Sequence, residues 1–252
     1  MDIPVSRRQL IAASPLLLAA AAVPRRSVSS ISHRLSLAEE RRLEPIYLKG
    51  YEAARGTAPS PRGRRIEAYL NKVGKRLTEQ GLLRPISYTF HFDPDPGFKS
   101  AMALPGGAVV VGSGLLSVVD SEDALACVLG HEIKHCDLGH TTKRIFEIQA
   151  RDHISDGRRA SINPLEFGRT NAPEDELAAD REGIALAIRA GYSPYGVRRL
   201  LEFLAEVFKA YTPRPGALTI AHRIELIDAQ ITQNGWERLA DVKHPLALPD
   251  WG

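Results

Sequence analysis

The sequence predicts an α+β fold, mainly α, with one small antiparallel sheet set ahead of a central helix. Three observations carry that expectation. Apolar residues recur at helical spacing over most of the chain, as at Ile66, Leu70, Val73 and Leu77. Between positions 86 and 112 the texture changes to short β-branched and aromatic runs broken by turn residues. Helical patterns then resume, so strands and helices are segregated rather than alternating. At 252 residues the chain is long enough for one domain with appendages around a real core. Its formal charge of +3, from 33 basic and 30 acidic residues, is too balanced to indicate a nucleic-acid partner.

The first segment is expected to lie outside the fold. "MDIPVSRRQLIAASPLLLAAAAVP" has a basic start, an apolar run from Leu10 to Val23, and small residues Ala20, Ala21 and Ala22 suited to cleavage. That is the layout of an export signal, placed here over residues 1–22. The run is 14 residues and contains Pro15, whereas a spanning helix needs about 20. Ser6-Arg7-Arg8 with Leu10 and Ile11 also resembles a twin-arginine signal. The expected location is the bacterial periplasm or cell envelope. No other segment is long and apolar enough to span a bilayer, so membrane association is not required. Cys127 and Cys136 fall on one expected helix. Their separation of roughly 13 Å along it exceeds the limit of about 7 Å for bridged Cα atoms, so they read as buried free thiols.

A helical lead-in occupies residues 23–60. Ser36 and Glu39 form a capping box signature, and Pro45 is expected to kink or restart the helix. "SPRGRRIEAYLNKVGKRLTEQG" is the next helix, stopped by Gly81. "ISYTFHF" reads as a strand and "DPDPG" as a turn. "KSAMAL" and "AVVVG" read as two strands joined by the hairpin signal "PGG". Helices are then expected at Ser121 to His140, Thr142 to His153, Pro173 to Ala190, Pro194 to Lys209 and Thr219 to Gln230. "SDGRRASINP" reads as a mobile loop within a candidate lid, residues 141–172. The tail, 233–252, shows no pattern.

The chemistry concentrates in "LGHEIKHCDLGH". His131 and His135 are four apart on a helix that Ser121 caps, so both imidazoles emerge on one face and reach a single metal ion. Glu132 lies about 100° round, beside the metal rather than on it, as a base for metal-bound water should. This is the H-E-x-x-H arrangement of zinc proteases. On a continuous helix His140 falls about 180° from His131 and faces away, and Cys127, on the His131 stripe, reads as an apolar contact against the sheet. A third ligand is expected from "PEDELAADREG", where Glu176 and Asp180 share a face. Glu176 would complete a His₂Glu site, and Asp180 would hydrogen-bond a ligand histidine. Glu174, Asp175 and Glu182 remain alternatives on chemistry alone.

The stretch "SAMALPGGAVVVGSGLLSVVDSEDALACVLGHEIKHCDLGH" resembles the core of the HtpX/BepA-type zinc metalloproteases, relatives of the CAAX prenyl endopeptidase in metallopeptidase family forty-eight. "SAMALPGG", "GLL" and "EDALACVLGHEIKH" match its successive motifs, and the similarity runs from about Tyr69 to Ile224. It implies a gluzincin-type fold, a zinc metalloprotease domain over residues 61–232, one Zn²⁺ per chain, and Glu176 as third ligand through Glu176-Leu177-Ala178-Ala179-Asp180. It further implies substrate pairing along Ser100, Ala101, Met102 and Ala103, a role for Arg223 at the oxyanion, and unfolded or misassembled envelope proteins as substrates. One departure is marked. Where the family carries a His six residues before this Arg, the chain has Ala217, leaving His222, His244 and Tyr211 as stand-in candidates. The competing reading is a zinc-stabilised chaperone-like or self-inhibited module with little hydrolysis. An intact Glu132 argues against it, because binding alone needs no base.

Overall fold

The computed structural model describes residues 35–57, 60–169, 171–207, 219–239 and 243–248. The segment read as an export signal, Tyr211 and Ala217 lie outside them. Eight α-helices and three strands form the described part, and no helix among the described residues is long and apolar enough to cross a membrane.

Helix α1 spans Leu37–Arg55, and the Ser36 and Glu39 capping box is formed. It runs unbroken through Pro45, contrary to the expected kink. Proline removes one backbone donor there, but Leu43, Tyr47 and Tyr51 on one face are buried and hold the helix in line. Helix α2, Pro61–Thr78, starts at the Ser60 cap with proline at its first position and buries Ile66, Leu70, Val73 and Leu77.

Strands β1 (Thr89–Asp93), β2 (Ala101–Ala103) and β3 (Ala108–Gly112) form a sheet in the order β1-β3-β2. The expected sheet was antiparallel, and this is corrected: β2 pairs antiparallel with β3, but β1 pairs parallel with β3. The reason lies in β3, whose five residues "AVVVG" are all buried. A run that is apolar on both faces belongs at the centre of a sheet. Val109 and Val111 face a core shared with α2 and the central helix, while Ala108 and Val110 face a second core against α1. The short β2 is left at the edge.

A four-residue helix α3, Ser113–Leu116, leads to the central helix α4, Glu122–Asp137, capped by Ser121 Oγ on Ala124 N–H. Then follow α5 (His140–Asp152), α6 (Pro173–Arg189), α7 (Tyr195–Val207) and α8 (Ile220–Gln233). The stretch read as a mobile loop instead forms two short 3-10 helices, Asp156–Ser161 and Pro164–Gly168. They are tied down by a hydrogen bond from the Tyr47 hydroxyl to the Arg159 carbonyl and by packing of buried Phe167 against Tyr47. The patternless tail has a place too. His244 caps the start of α4, accepting from Glu122 N–H at its carbonyl and donating its own N–H to Asp123.

Candidate metal centre

Helices α4 and α6 cross in backbone contact, and two glycines make this possible. A Cβ on Gly130 would stand 2.6 Å from the Gly183 carbonyl oxygen, and one on Gly183 would stand 2.6 Å from the His131 nitrogen. Each costs about 1 kcal/mol of helix propensity, offset by bringing the α6 carboxylates against the α4 imidazoles. Sequence reading passed over both, although a glycine inside a helical pattern is itself a signal of close approach.

The crossing gathers the residues singled out from the motifs. His131 Nε2 and His135 Nε2 stand 2.9 Å apart. Glu176 reaches them at 3.5 and 3.7 Å. Donor atoms of the three lie within 4.8 Å of one another. Donor pairs around a tetrahedral zinc stand about 3.3–3.6 Å apart, a spacing that the three separations bracket, and two imidazoles with one carboxylate are a donor set that suits that ion. Two ring nitrogens facing each other without an intervening donor also call for a positive charge between them. The electrostatics agree. Burial opposes a charged His131, but Asp180 and Glu176 outweigh it and carry its pKa up to about 10. Burial and the neighbouring His131 push His135 down to about 3. Burial would raise Glu176, but its bond to His131 holds it well below the carboxylate range. The proton of the pair therefore resides on His131, against the Glu176 and Asp180 carboxylates.

The partners behind the candidate ligands complete the geometry. His131 Nδ1 is 2.8 Å from Asp180 Oδ1. Arg223, from α8, grips the same carboxylate with Nε at 2.7 Å and Nη2 at 2.6 Å. Asn171, which sequence reading did not flag, donates to Glu176 Oε1 at 2.8 Å. Glu132 is buried beside the ligands, and burial lifts its pKa to about 7, opposed in part by the backbone N–H of Ala103.

His140 corrects an expectation. Helix α4 ends at Asp137 rather than running through His140, and Gly139 takes a left-handed φ of 84° that starts α5 in a new direction. His140 is therefore turned back, and its Nδ1 lies 3.0 Å from His135 Nδ1. Cys127 is also corrected: its thiol points to the Ser193 carbonyl, not to the sheet. His222 is exposed beside Glu225, and His244 bonds Asp123, so neither lines the site.

His131, Glu132, His135, Glu176, Asp180 and Arg223 line a cleft of about 330 Å³. One wall is the edge strand with Ser100, Ala101, Met102 and Ala103; another is apolar, with Val128, Ile184, Val197 and Leu201. Gly112 N–H bonds to Ser100 O and Leu104 N–H to Ala108 O, which turns the alternate groups of Ala101 and Ala103 away from β3. Met102 is buried in the second core, against α1.

Residues 65–155 match the model of Peptidase family M48. Over that segment the chain is similar to peptidases of this family. The beta-barrel assembly-enhancing protease of Escherichia coli strain K12 is 26% identical over 230 residues, 82% of this chain and 46% of that one. The mitochondrial metalloendopeptidase OMA1 of Schizosaccharomyces pombe is 28% identical over 178 residues, covering 67% and 52%. Metalloprotease YcaL of Escherichia coli strain K12 is 27% identical over 176 residues, covering 62% and 68%. The chain spans less than half the length of the first of these relatives. The matched M48 segment contains α4 with both histidines and Glu132, while Glu176, Asp180 and Arg223 follow it in the chain.

Proposed function

We propose that this protein is a zinc-dependent endopeptidase that hydrolyses unfolded or misassembled polypeptides in the bacterial envelope. The observation that carries this is the convergence of His131, His135 and Glu176 beside a buried Glu132, at the foot of a cleft walled by an edge strand. A zinc ion bound there would supply Lewis acidity, activating water and polarising a peptide carbonyl. Glu132 takes the proton of the attacking water and passes it to the leaving amine. Its raised pKa keeps both transfers close to neutral pH. Arg223, which lines the same cleft, stabilises the developing oxyanion. An extended substrate pairs with the outward backbone groups of Ala101 and the carbonyl of Ala103, next to Ser100 and Met102. Main-chain pairing asks for flexible segments and little side-chain identity, which suits unfolded substrates. Export through the "SRRQLIA" start, as either a general or a twin-arginine signal, belongs to the same reading.

The test is cleavage of casein, an unstructured protein, by the wild type and by Glu132→Gln, with zinc measured in both. The wild type should cleave, and Glu132→Gln should hold zinc and not cleave. A fully zinc-loaded wild type that leaves casein intact would sink the endopeptidase reading in favour of a binding module.

A further inference from the structure

The environment of His135 holds a contact that the zinc-peptidase reading does not use. Its Nε2 faces His131 Nε2 and Glu176. To bind a metal through that nitrogen, the ring must carry its proton on Nδ1, and a buried N–H needs an acceptor. His135 is only 4% exposed. Among the described residues, two groups reach its Nδ1: His140 Nδ1 at 3.0 Å and Asn171 Nδ2 at 3.5 Å. Asn171 cannot accept there, because its amide nitrogen donates to Glu176 at 2.8 Å. Flipping the amide would set its oxygen against that carboxylate.

His140 can accept, provided its own proton sits on Nε2. The structure places a carboxylate on that side of the ring. His140 Nε2 lies 3.6 Å from Asp175 Oδ1, and Lys143 Nζ holds the other oxygen of that carboxylate at 2.6 Å. The buried ring is fixed in direction by Gly139 and by its position at the start of α5. We propose that His140 is the positioning residue for ligand His135, accepting the His135 Nδ1 proton while Asp175 and Lys143 hold it in the accepting tautomer. The inference rests on the metal-centre reading above and adds to it a residue that sequence reasoning had turned away from the site.

The test compares zinc affinity, by competition with a chromophoric chelator, in the wild type, His140→Phe and His140→Asn. Phenylalanine keeps the ring volume without an acceptor, whereas asparagine keeps an oxygen near the Nδ1 position. His140→Phe should bind zinc 10–100-fold more weakly, and His140→Asn should stay within a few-fold of wild type. A packing role predicts the reverse order, with phenylalanine tolerated. The ¹⁵N spectrum of the zinc-loaded wild type tests the proposal without a variant. It should show His140 protonated on Nε2 and bare on Nδ1, and the opposite tautomer overturns the proposal. A wild type that binds no zinc removes the metal-centre reading and this inference with it. A wild type that binds zinc, with His140→Phe equal to it, overturns the inference alone.

Discussion

His131 and His135 leave the same face of α4 one turn apart, yet they are held from behind by different chemistry. Behind His131 stands a carboxylate, Asp180, gripped twice by the partly buried guanidinium of Arg223. Behind His135 stands a second imidazole, His140, and only beyond it a carboxylate, Asp175, paired with the half-exposed Lys143. Both chains end in a cation. A charge-assisted hydrogen bond is roughly twice as strong as a neutral one, so His131 is the more basic and more firmly oriented of the two candidate ligands. The cations differ in kind too, since Arg223 reaches into the cleft while Lys143 does not line it.

Removing the metal should have the largest effect, because it discharges both sides at once. Chelation is expected to lower the unfolding free energy by about 4 kcal/mol when free zinc had exceeded its Kd a thousandfold, read by denaturant titration and restored by added zinc. No change would mean that the two histidines do not share an ion. Next comes the cation behind His131. Arg223→Met should lower kcat at saturating zinc by about 10²-fold or more, as for loss of an oxyanion donor, with zinc affinity falling far less. Parallel losses in kcat and affinity would reduce Arg223 to a prop for Asp180.

Asp180→Ala should weaken zinc binding by about 100-fold, the upper end for a group that orients a ligand. It should also destabilise the metal-free protein by about 1–3 kcal/mol, since the His131 N–H and Arg223 both lose their acceptor. The contrast between the two ligands breaks if this loss is no greater than that of His140→Phe. Smallest is Lys143→Met. Its ion pair is part-exposed, with Lys143 at 45% side-chain exposure, and such pairs contribute about 0–1 kcal/mol. Zinc affinity should change by less than about fivefold, and a larger drop would mean that the His135 side depends on its charge as strongly as the His131 side does.

The two supports were not equally legible. Asp180 could be read because Glu176 and Asp180 are one turn apart on one helix, and that spacing sets their directions wherever the helix docks. His140 was read as facing away, on the assumption that α4 continues to it. One residue, Gly139 at a positive φ, ends that continuity. Asn171 lay outside any motif, and its bond to Glu176 depends on how the chain enters α6.

By itself the sequence determined what is local: the helices, the hairpin at Gly106 and Gly107, the H-E-x-x-H face of α4, and the Glu176 and Asp180 face of α6. Periodicity and i, i+4 spacing decide these within one element. The tertiary structure alone decided which elements meet. It placed β3 between β1 and β2, brought α6 onto α4 at Gly130 and Gly183, and laid the tail across the start of α4. Such contacts depend on burying both faces of one strand and on backbones close enough to touch, which are properties of the packed chain rather than of any single segment.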